Sequence, residues 1–261
     1  MKTVIIPIDF SETSLNAARY TAVMLSGKSD ASIILYNMFS HDDEFELAGT
    51  YLESLKKELL AKGDKTIECI REKGEDLIDC LEKLSYQKTA TLIVMGIKGK
   101  SHLKQALIGS NTLKITTRDV CPVLIVPSHA EFNGIKNVAL ASDFKDVENI
   151  TPVSYLKAVL EFFKPRLHIV NVNSEIHVAI NEELKREREW LREQFSEYNP
   201  EFYFITTYDF QETIEQFVQD NNIDILITIP RNQSFFDTFF RISATKKLAF
   251  HSSIPVLAAH E

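Results

Sequence analysis

The sequence repeats itself, and this repeat limits the possible folds more than any other feature of the chain. Asp9 and Phe10, which follow an apolar run, recur 134 residues later as Asp143 and Phe144. Three blocks of the first half match the second half at this offset and a fourth at 133: residues 4–10 with 138–144, 36–38 with 170–172, 92–96 with 226–230, and 121–124 with 254–257. This nearly constant spacing indicates two copies of one structural unit.

Each copy alternates short apolar, β-branched segments with longer amphipathic ones, the pattern of a parallel sheet with crossover helices. The predicted strands of the first copy are residues 3–8, 33–38, 66–71, 91–95 and 123–127. The sequence therefore predicts two tandem α/β domains, each a Rossmann-like five-stranded parallel sheet flanked by helices. Residues 1–128 form the first domain, residues 135–261 form the second, and the segment between them reads as a short linker.

The helices of the first copy have recognisable limits. Ser11 is a suitable N-cap for the first helix, and Gly27 is a suitable C′ residue at its end. A second helix is predicted over residues 44–60, with an apolar face formed by Leu47, Tyr51, Leu55 and Leu59. In the second copy, a charged helix over about residues 180–195 is expected to face solvent.

Composition excludes several functional classes. The 261 residues carry a net charge of −8, so general binding to nucleic acid or to an anionic membrane surface is not expected. The N-terminal apolar run is too short for a signal peptide, and no segment approaches the roughly 20 apolar residues of a membrane span. A cytoplasmic location is the expectation.

A glycine-rich segment follows the fourth predicted strand. Residues 96–101 read Gly-Ile-Lys-Gly-Lys-Ser, and Gly109 and Ser110 follow after a short interval. Glycine allows the backbone to approach a phosphate closely, and a helix N-terminus beyond it offers unpaired N–H groups. Ser110 adds a hydroxyl donor. The segment therefore predicts a phosphate-binding loop.

Two further residues end predicted strands on the same side of the sheet. Asp9 follows strand one, and Met38 ends strand two. In open parallel sheets, ligands bind beyond the carboxyl ends of the strands where the winding direction reverses. The Asp9 carboxylate suits a ribose hydroxyl or a metal ion, and Met38 suits contact with a base.

The glycine segment also resembles three other kinds of loop. Gly-Lys-Ser lacks the glycine spacing of a P-loop, which rules that motif out. Gly-Ile-Lys-Gly resembles the loop of a KH domain, but a KH loop joins two helices and this segment follows a strand. A third alternative, that the glycines serve only as tight turns, stays open on the residues alone.

In these features the chain resembles the universal stress protein family in its tandem two-domain form. The family pattern Gly-x2-Gly-x9-Gly-Ser/Thr is matched by Gly96, Gly99, Gly109 and Ser110. The family's strand-one aspartate resembles Asp9. The resemblance covers essentially the whole chain and implies the adenine nucleotide alpha hydrolase-like version of the fold.

The resemblance also implies a ligand, a site and a mode of pairing. The ligand is ATP or AMP, with or without a divalent ion such as Mg²⁺ or Mn²⁺. The units are expected to pair through their last strands, within the chain or in a homodimer. The role is stress-response regulation, with no settled catalytic reaction and hence no assigned catalytic residue. The predicted nucleotide-binding residues are Pro7, Asp9, Met38, Gly96, Lys98, Gly99, Gly109, Ser110, Asn111 and Thr112.

The second copy departs from the glycine pattern. Pro230 and Gln233 stand where the first copy has Gly96 and Gly99, and Ile242 or Ser243 stands where it has Gly109. Proline removes an N–H donor, and the larger side chains occupy space that a phosphate needs. We therefore expect a degenerate second domain that acts as a packing partner, although Asp143 is retained.

Two other functions stay open. One is an enzyme that uses adenine nucleotides, either a slow ATPase or an adenylating enzyme. Adenylating enzymes of this superfold carry a Ser-Gly-Gly-x-Asp-Ser loop after strand one, and residues 7–11 here contain no glycine. The other is an interaction scaffold that binds no nucleotide.

Overall fold

The computed structural model describes residues 2–63, 66–97, 110–116, 118, 120–173, 182–206, 210–229 and 254–259. The chain divides into two compact units, Met1–Asn133 (unit 1) and Gly134–Glu261 (unit 2). None of the helices in these described ranges is long and apolar enough to cross a lipid bilayer.

Unit 1 alternates strands and helices along the chain, as the pattern of apolar segments predicts. Its strands are β1 (Lys2–Pro7), β2 (Ala31–Phe39), β3 (Thr66–Lys73), β4 (Ala90–Ile97) and β5 (Val123–Pro127). Its helices are α1 (Glu12–Met24), α2 (Glu44–Leu60), α3 (Leu77–Lys88) and α4 (Ser110–Ile115).

The strands of unit 1 pair in the order β3-β2-β1-β4-β5, and each neighbouring pair is parallel. Val4, Ile5 and Ile6 of β1 are fully buried, because the central strand of such a sheet is covered on both faces. The winding direction reverses between β1 and β4. Their carboxyl ends therefore form the switch point at which open α/β sheets bind ligands.

Helix α1 begins where the sequence predicts but ends earlier. Ser11 is the N-cap of α1, and its hydroxyl accepts a hydrogen bond from the Ser14 N–H, which confirms that prediction. The helix ends earlier than expected, with Leu25 as the C-cap. Gly27, the predicted C′ residue, has a positive φ (76°) but lies one residue beyond the observed C′ position, which is Ser26.

Helix α2 has the predicted length, but its apolar face was predicted wrongly at Leu47 and Tyr51. Leu47 and Tyr51 are 57% and 51% exposed, whereas Ala48 and Leu52 are buried. Leu55 is buried as predicted. A strict spacing of four residues drifts around a helix that has 3.6 residues per turn, so the buried face follows positions 48, 52, 55 and 59.

Unit 2 has the same order of elements. Its strands are β6 (Asn137–Ala141), β7 (Arg166–Asn173), β8 (Glu201–Thr206), β9 (Ile225–Thr228) and β10 (Val256–Ala258). Its α-helices are α5 (Val147–Ile150), α6 (Val153–Leu160), α7 (Glu182–Gln194) and α8 (Phe210–Asp220), and a 3₁₀ turn spans Ser196–Tyr198.

The strands of unit 2 pair in the order β10-β9-β6-β7-β8, with each neighbouring pair parallel. Strands β6 to β10 correspond, in chain order, to β1 to β5. With this correspondence the two units have the same strand order. The structure therefore confirms the predicted fold class, two tandem copies of a five-stranded parallel sheet flanked by helices.

Candidate functional site

Asp9 lies just beyond the carboxyl end of β1, on the exposed turn that leads into α1. Its Oδ1 atom accepts hydrogen bonds from the Ser11 N–H (3.0 Å) and the Ser11 hydroxyl (2.5 Å). Partial burial of the carboxyl group raises its pKa, but the hydrogen bonds from Ser11 and Ser14 outweigh this effect and lower the pKa overall. Asp9 is therefore a negative charge at neutral pH.

The first turn of α1 adds hydroxyl groups beside Asp9. The Ser11 and Thr13 hydroxyls lie 2.9 Å apart, and the Ser14 hydroxyl donates to the Ser11 carbonyl oxygen (3.0 Å). Sequence reasoning treated Ser11 only as a helix cap and missed Thr13 and Ser14. The signal was present in the sequence, because three hydroxyl residues within four positions follow the strand-one aspartate.

Gly96, near the end of β4, packs directly against this turn. A β-carbon built at Gly96 would lie 2.1 Å from the Thr13 carbonyl oxygen and 2.4 Å from the Thr13 carbonyl carbon. Both distances are far shorter than the contacts that β-carbons make in proteins. The absence of a side chain at Gly96 thus brings β4 and the start of α1 into contact. This packing role is additional to the phosphate contact that the glycine pattern predicts.

Met38 lies at the carboxyl end of β2 and is half-buried. A β-carbon at Gly74 would lie 2.9 Å from the Met38 Sδ and 2.8 Å from the Cys80 Sγ, so both sulfur atoms line the same small space. Cys80 belongs to α3. Met38 therefore forms a soft apolar surface on the α3 side of the sheet.

A buried tyrosine supports the end of β2. The Tyr36 hydroxyl lies 3.1 Å from a Glu72 carboxylate oxygen, to which it donates a hydrogen bond. Burial, reinforced by Cys80 and Glu72, raises the pKa of Tyr36 well above its ordinary value. Tyr36 is therefore a neutral hydrogen-bond donor, which sequence reasoning did not identify.

The remaining predicted residues have separate positions. Pro7 is buried at the end of β1, opposite Tyr36 in the register of β2. Ser110 begins α4, Asn111 is exposed and Thr112 is buried. Lys98, Gly99 and Gly109 lie outside the described residues.

The strand order brings part of the predicted set together. Because β1 lies between β2 and β4, the carboxyl ends that carry Met38, Asp9 and Gly96 are adjacent. The site thus combines an ionised carboxylate, several hydroxyl groups and an apolar surface at one edge of the sheet. Within the described part of the chain, no group of three or more His, Cys, Asp or Glu side chains could hold a metal ion.

Unit 2 keeps the turn after its first strand but begins its first helix differently. The Lys145 N–H donates to Asp143 Oδ1 (3.1 Å), as the Ser11 N–H does to Asp9. Helix α5 has only four residues, and the Val147 N–H at its start donates to the carboxylate of Glu187 (2.8 Å). Glu187 is buried, although we expected the charged helix α7 to face solvent.

The residues that replace the glycines in unit 2 are outside the described ranges. They are Pro230, Gln233, Ile242 and Ser243, so the degenerate loop stays a prediction from the sequence.

A separate cavity of about 550 Å³ lies between α2 and β3. The Arg71 guanidinium stacks 3.8 Å above the Phe45 ring, and its Nη1 donates to the Phe45 carbonyl oxygen (2.7 Å). Glu46 and Lys57 also line this cavity. Among the residues that the structure describes, its lining includes none of the predicted nucleotide-binding residues.

Comparisons with known proteins identify relatives of this chain. The model of the universal stress protein family matches residues 1–127. A universal stress protein of Methanocaldococcus jannaschii is 30% identical in an alignment of 145 positions that covers 48% of this chain and 81% of that protein. A second one from the same organism is 26% identical in an alignment of 152 positions that covers 48% of this chain and 94% of that protein.

Among solved structures, a universal stress protein from Archaeoglobus fulgidus superposes with a TM-score of 0.71. It covers 98% of this chain and 97% of its own, at 19% sequence identity, which is evidence for the fold alone. The 30% identity to a universal stress protein of which this chain covers 81%, together with the family model over residues 1–127, shows that this chain belongs to the universal stress protein family.

Proposed function

We propose that this protein is a stress-response regulator that binds one adenine nucleotide, ATP or AMP, in unit 1. The observation that carries the proposal is the position of Asp9 and Gly96 at the carboxyl ends of β1 and β4, where the sheet reverses its winding. Open α/β sheets place their ligands at this point.

Each part of the site suits one part of the ligand. The ionised Asp9 carboxylate is an acceptor for ribose hydroxyl groups, and Met38 offers a polarisable apolar surface to the base. The predicted loop with Gly99 and Gly109, followed by Ser110, would receive the phosphates. If a divalent ion binds, the Asp9 carboxylate would help to hold it, and the ion would neutralise part of the phosphate charge.

Unit 2 is proposed not to bind nucleotide, because its sequence has Pro230 and Gln233 at the glycine positions. Unit 2 would instead contribute a surface for pairing through the last strands. A purely catalytic role is less well supported, because residues 7–11 lack the glycines of an adenylating enzyme loop.

The test is a calorimetric titration of the full chain with ATP and with AMP, in the presence and absence of Mg²⁺. We expect about one nucleotide per chain. Gly109→Leu should abolish binding, because a side chain there fills the phosphate space. The substitution Gln233→Leu, at the position of unit 2 that corresponds to Gly99, should leave binding unchanged.

Three outcomes would contradict the proposal. A stoichiometry near two would show that unit 2 also binds nucleotide. No binding of either nucleotide would favour the interaction scaffold. Multiple turnovers of ATP in an assay of released phosphate would favour an enzyme.

A further inference from the structure

A buried side chain on β2 reaches across to the residue that precedes Asp9. Asn37 is 7% exposed, and its Nδ2 atom donates a hydrogen bond to the Ile8 carbonyl oxygen (2.8 Å). The Ile8 N–H in turn donates to the Tyr36 carbonyl oxygen (2.7 Å). Both polar backbone groups of Ile8 are thereby fixed to β2, one by its backbone and one by a side chain.

Two residues beyond Ile8, the backbone has an unfavourable conformation. Phe10 has a φ of 61°, in the left-handed region that residues with a β-carbon disfavour. Such a conformation persists only where the surrounding contacts determine it. The hydrogen bond from Asn37 to Ile8 is one of these contacts, and Asp9 lies between the two residues that are held.

Unit 2 repeats the arrangement atom for atom. Asn171 donates to the Ser142 carbonyl oxygen (2.9 Å), and the Ser142 N–H donates to the Val170 carbonyl oxygen (3.0 Å). Phe144 has a φ of 54°. Since unit 2 has lost the glycine pattern, this arrangement does not depend on a phosphate-binding loop: its immediate effect is to hold the turn.

The Asn37 side chain also has a polar atom that is left without a hydrogen-bond partner. Its Oδ1 atom is buried and has no hydrogen-bond partner among the described residues. A buried acceptor that is left unsatisfied is unfavourable, and such groups in native structures call for an explanation. Here the explanation is the position of the turn that carries Asp9.

We propose that Asn37 is a positioning residue of the nucleotide site, which acts through Asp9. Asn37 fixes the Ile8 carbonyl, this contact fixes the turn, and the turn directs the Asp9 carboxylate beyond the end of β1. Asn171 holds the equivalent turn in unit 2, where no nucleotide is bound. This inference rests on the proposed function of unit 1.

The equivalence of the two asparagines supplies a matched control. Asn37→Leu and Asn171→Leu each remove one amide that holds a turn, and we expect both to lower the melting temperature of the full chain. In calorimetric titrations with AMP and with ATP, Asn37→Leu should weaken nucleotide binding about tenfold. Asn171→Leu should leave the affinity unchanged, which a merely structural effect would not predict.

A double-mutant cycle tests whether Asn37 acts through Asp9. In the Asp9→Ala background, adding Asn37→Leu should cause no further loss of affinity, because the group that it positions is absent. A full tenfold additional loss would overturn the proposed route through Asp9. Should Asn37→Leu fail to fold, Asn37→Val removes the same donor and suits a strand.

The outcomes separate this inference from the function on which it rests. If the unmodified chain binds neither AMP nor ATP, the proposed function fails and this inference fails with it. If the unmodified chain binds nucleotide and a folded Asn37 variant binds it equally well, only the positioning role is overturned.

Discussion

Gly96 and Thr13 are in contact because Gly96 has no side chain. A β-carbon at Gly96 would lie 2.1 Å from the Thr13 carbonyl oxygen, a backbone atom that cannot move aside as a side chain does. The end of β4 and the first turn of α1 are therefore joined at a point that admits only glycine.

We expect Gly96→Ala to destabilise the protein by about 1–3 kcal/mol, the usual cost of overpacking. Urea unfolding measures the change. Gly74→Ala is the control, because the nearest atoms to a β-carbon there belong to the side chains of Met38 and Cys80 and not to the backbone. A Gly96→Ala variant as stable as Gly74→Ala would contradict the packing role.

Asp9 and Asp143 occupy equivalent turns but differ in the predicted function of their units. Asp9→Ala should weaken ATP binding by about 1–3 kcal/mol through loss of a charge-assisted hydrogen bond. Asp143→Ala should not change the affinity. Calorimetric titration of both variants is the measurement, and unchanged affinity in a folded Asp9→Ala variant would remove Asp9 from the site.

Sequence patterns predicted the strands well and the contacts between elements poorly. The run 123–127 is apolar and β-branched, and it forms β5 as predicted. Local chemistry also identified Ser11 as an N-cap. The predicted apolar face of α2 was wrong at Leu47 and Tyr51. Leucines at several spacings allow more than one apolar face, and only packing on the sheet selects Ala48 and Leu52.

The same holds for the site: the ends of the strands were predictable from the sequence, and the contacts between distant residues were not. Asp9 and Met38 could be predicted to end neighbouring strands, because each follows an apolar run. The contact between Gly96 and Thr13 and the hydrogen bond from Asn37 to Ile8 join residues that are far apart in the chain. No local pattern indicates such contacts, so they required the structure.

His168 provides a test by pH. It is buried on β7, with its Nδ1 3.2 Å from the Tyr203 hydroxyl and its Nε2 3.5 Å from Asn137 Oδ1. Burial lowers the pKa of His168 and Arg166 adds to this effect, whereas Glu201 opposes it. The folded state therefore takes up a proton less readily than the unfolded state, in which the pKa of histidine is about 6.5.

The stability that this shift contributes is complete above about pH 6.5 and decreases as the pH falls through the pKa of the folded state. Urea unfolding at about pH 7.5 and about pH 5.5 should show the loss. His168→Gln should reduce it, and the same change at the exposed His41 should not. Equal pH dependence in all three proteins would contradict this role of His168.

The last strand of each unit gives a further prediction. Within its own unit, β5 lies at one end of the strand order, and so does β10. Exposed strand edges are normally paired or covered, and a covalent link raises the effective concentration of a pairing partner. We therefore predict that the two units pair through residues 123–126 and 256–258.

Expression of residues 1–128 alone checks this pairing. The truncated protein should self-associate through the freed strand or be poorly soluble, which sedimentation or light scattering would detect. A stable, fully soluble monomer with the nucleotide affinity of the full chain would show that unit 2 has no such packing role.

The two ways of starting the first helix also affect the order of events during folding. Helix α1 is capped by Ser11, a residue at its own start, so its first turn can form from local contacts alone. The first N–H of α5 bonds to Glu187, 40 residues further along the chain. That contact requires a long loop to close first. The cap of α1 can therefore form before any long-range contact, whereas the hydrogen bond at the start of α5 can form only once α7 has docked.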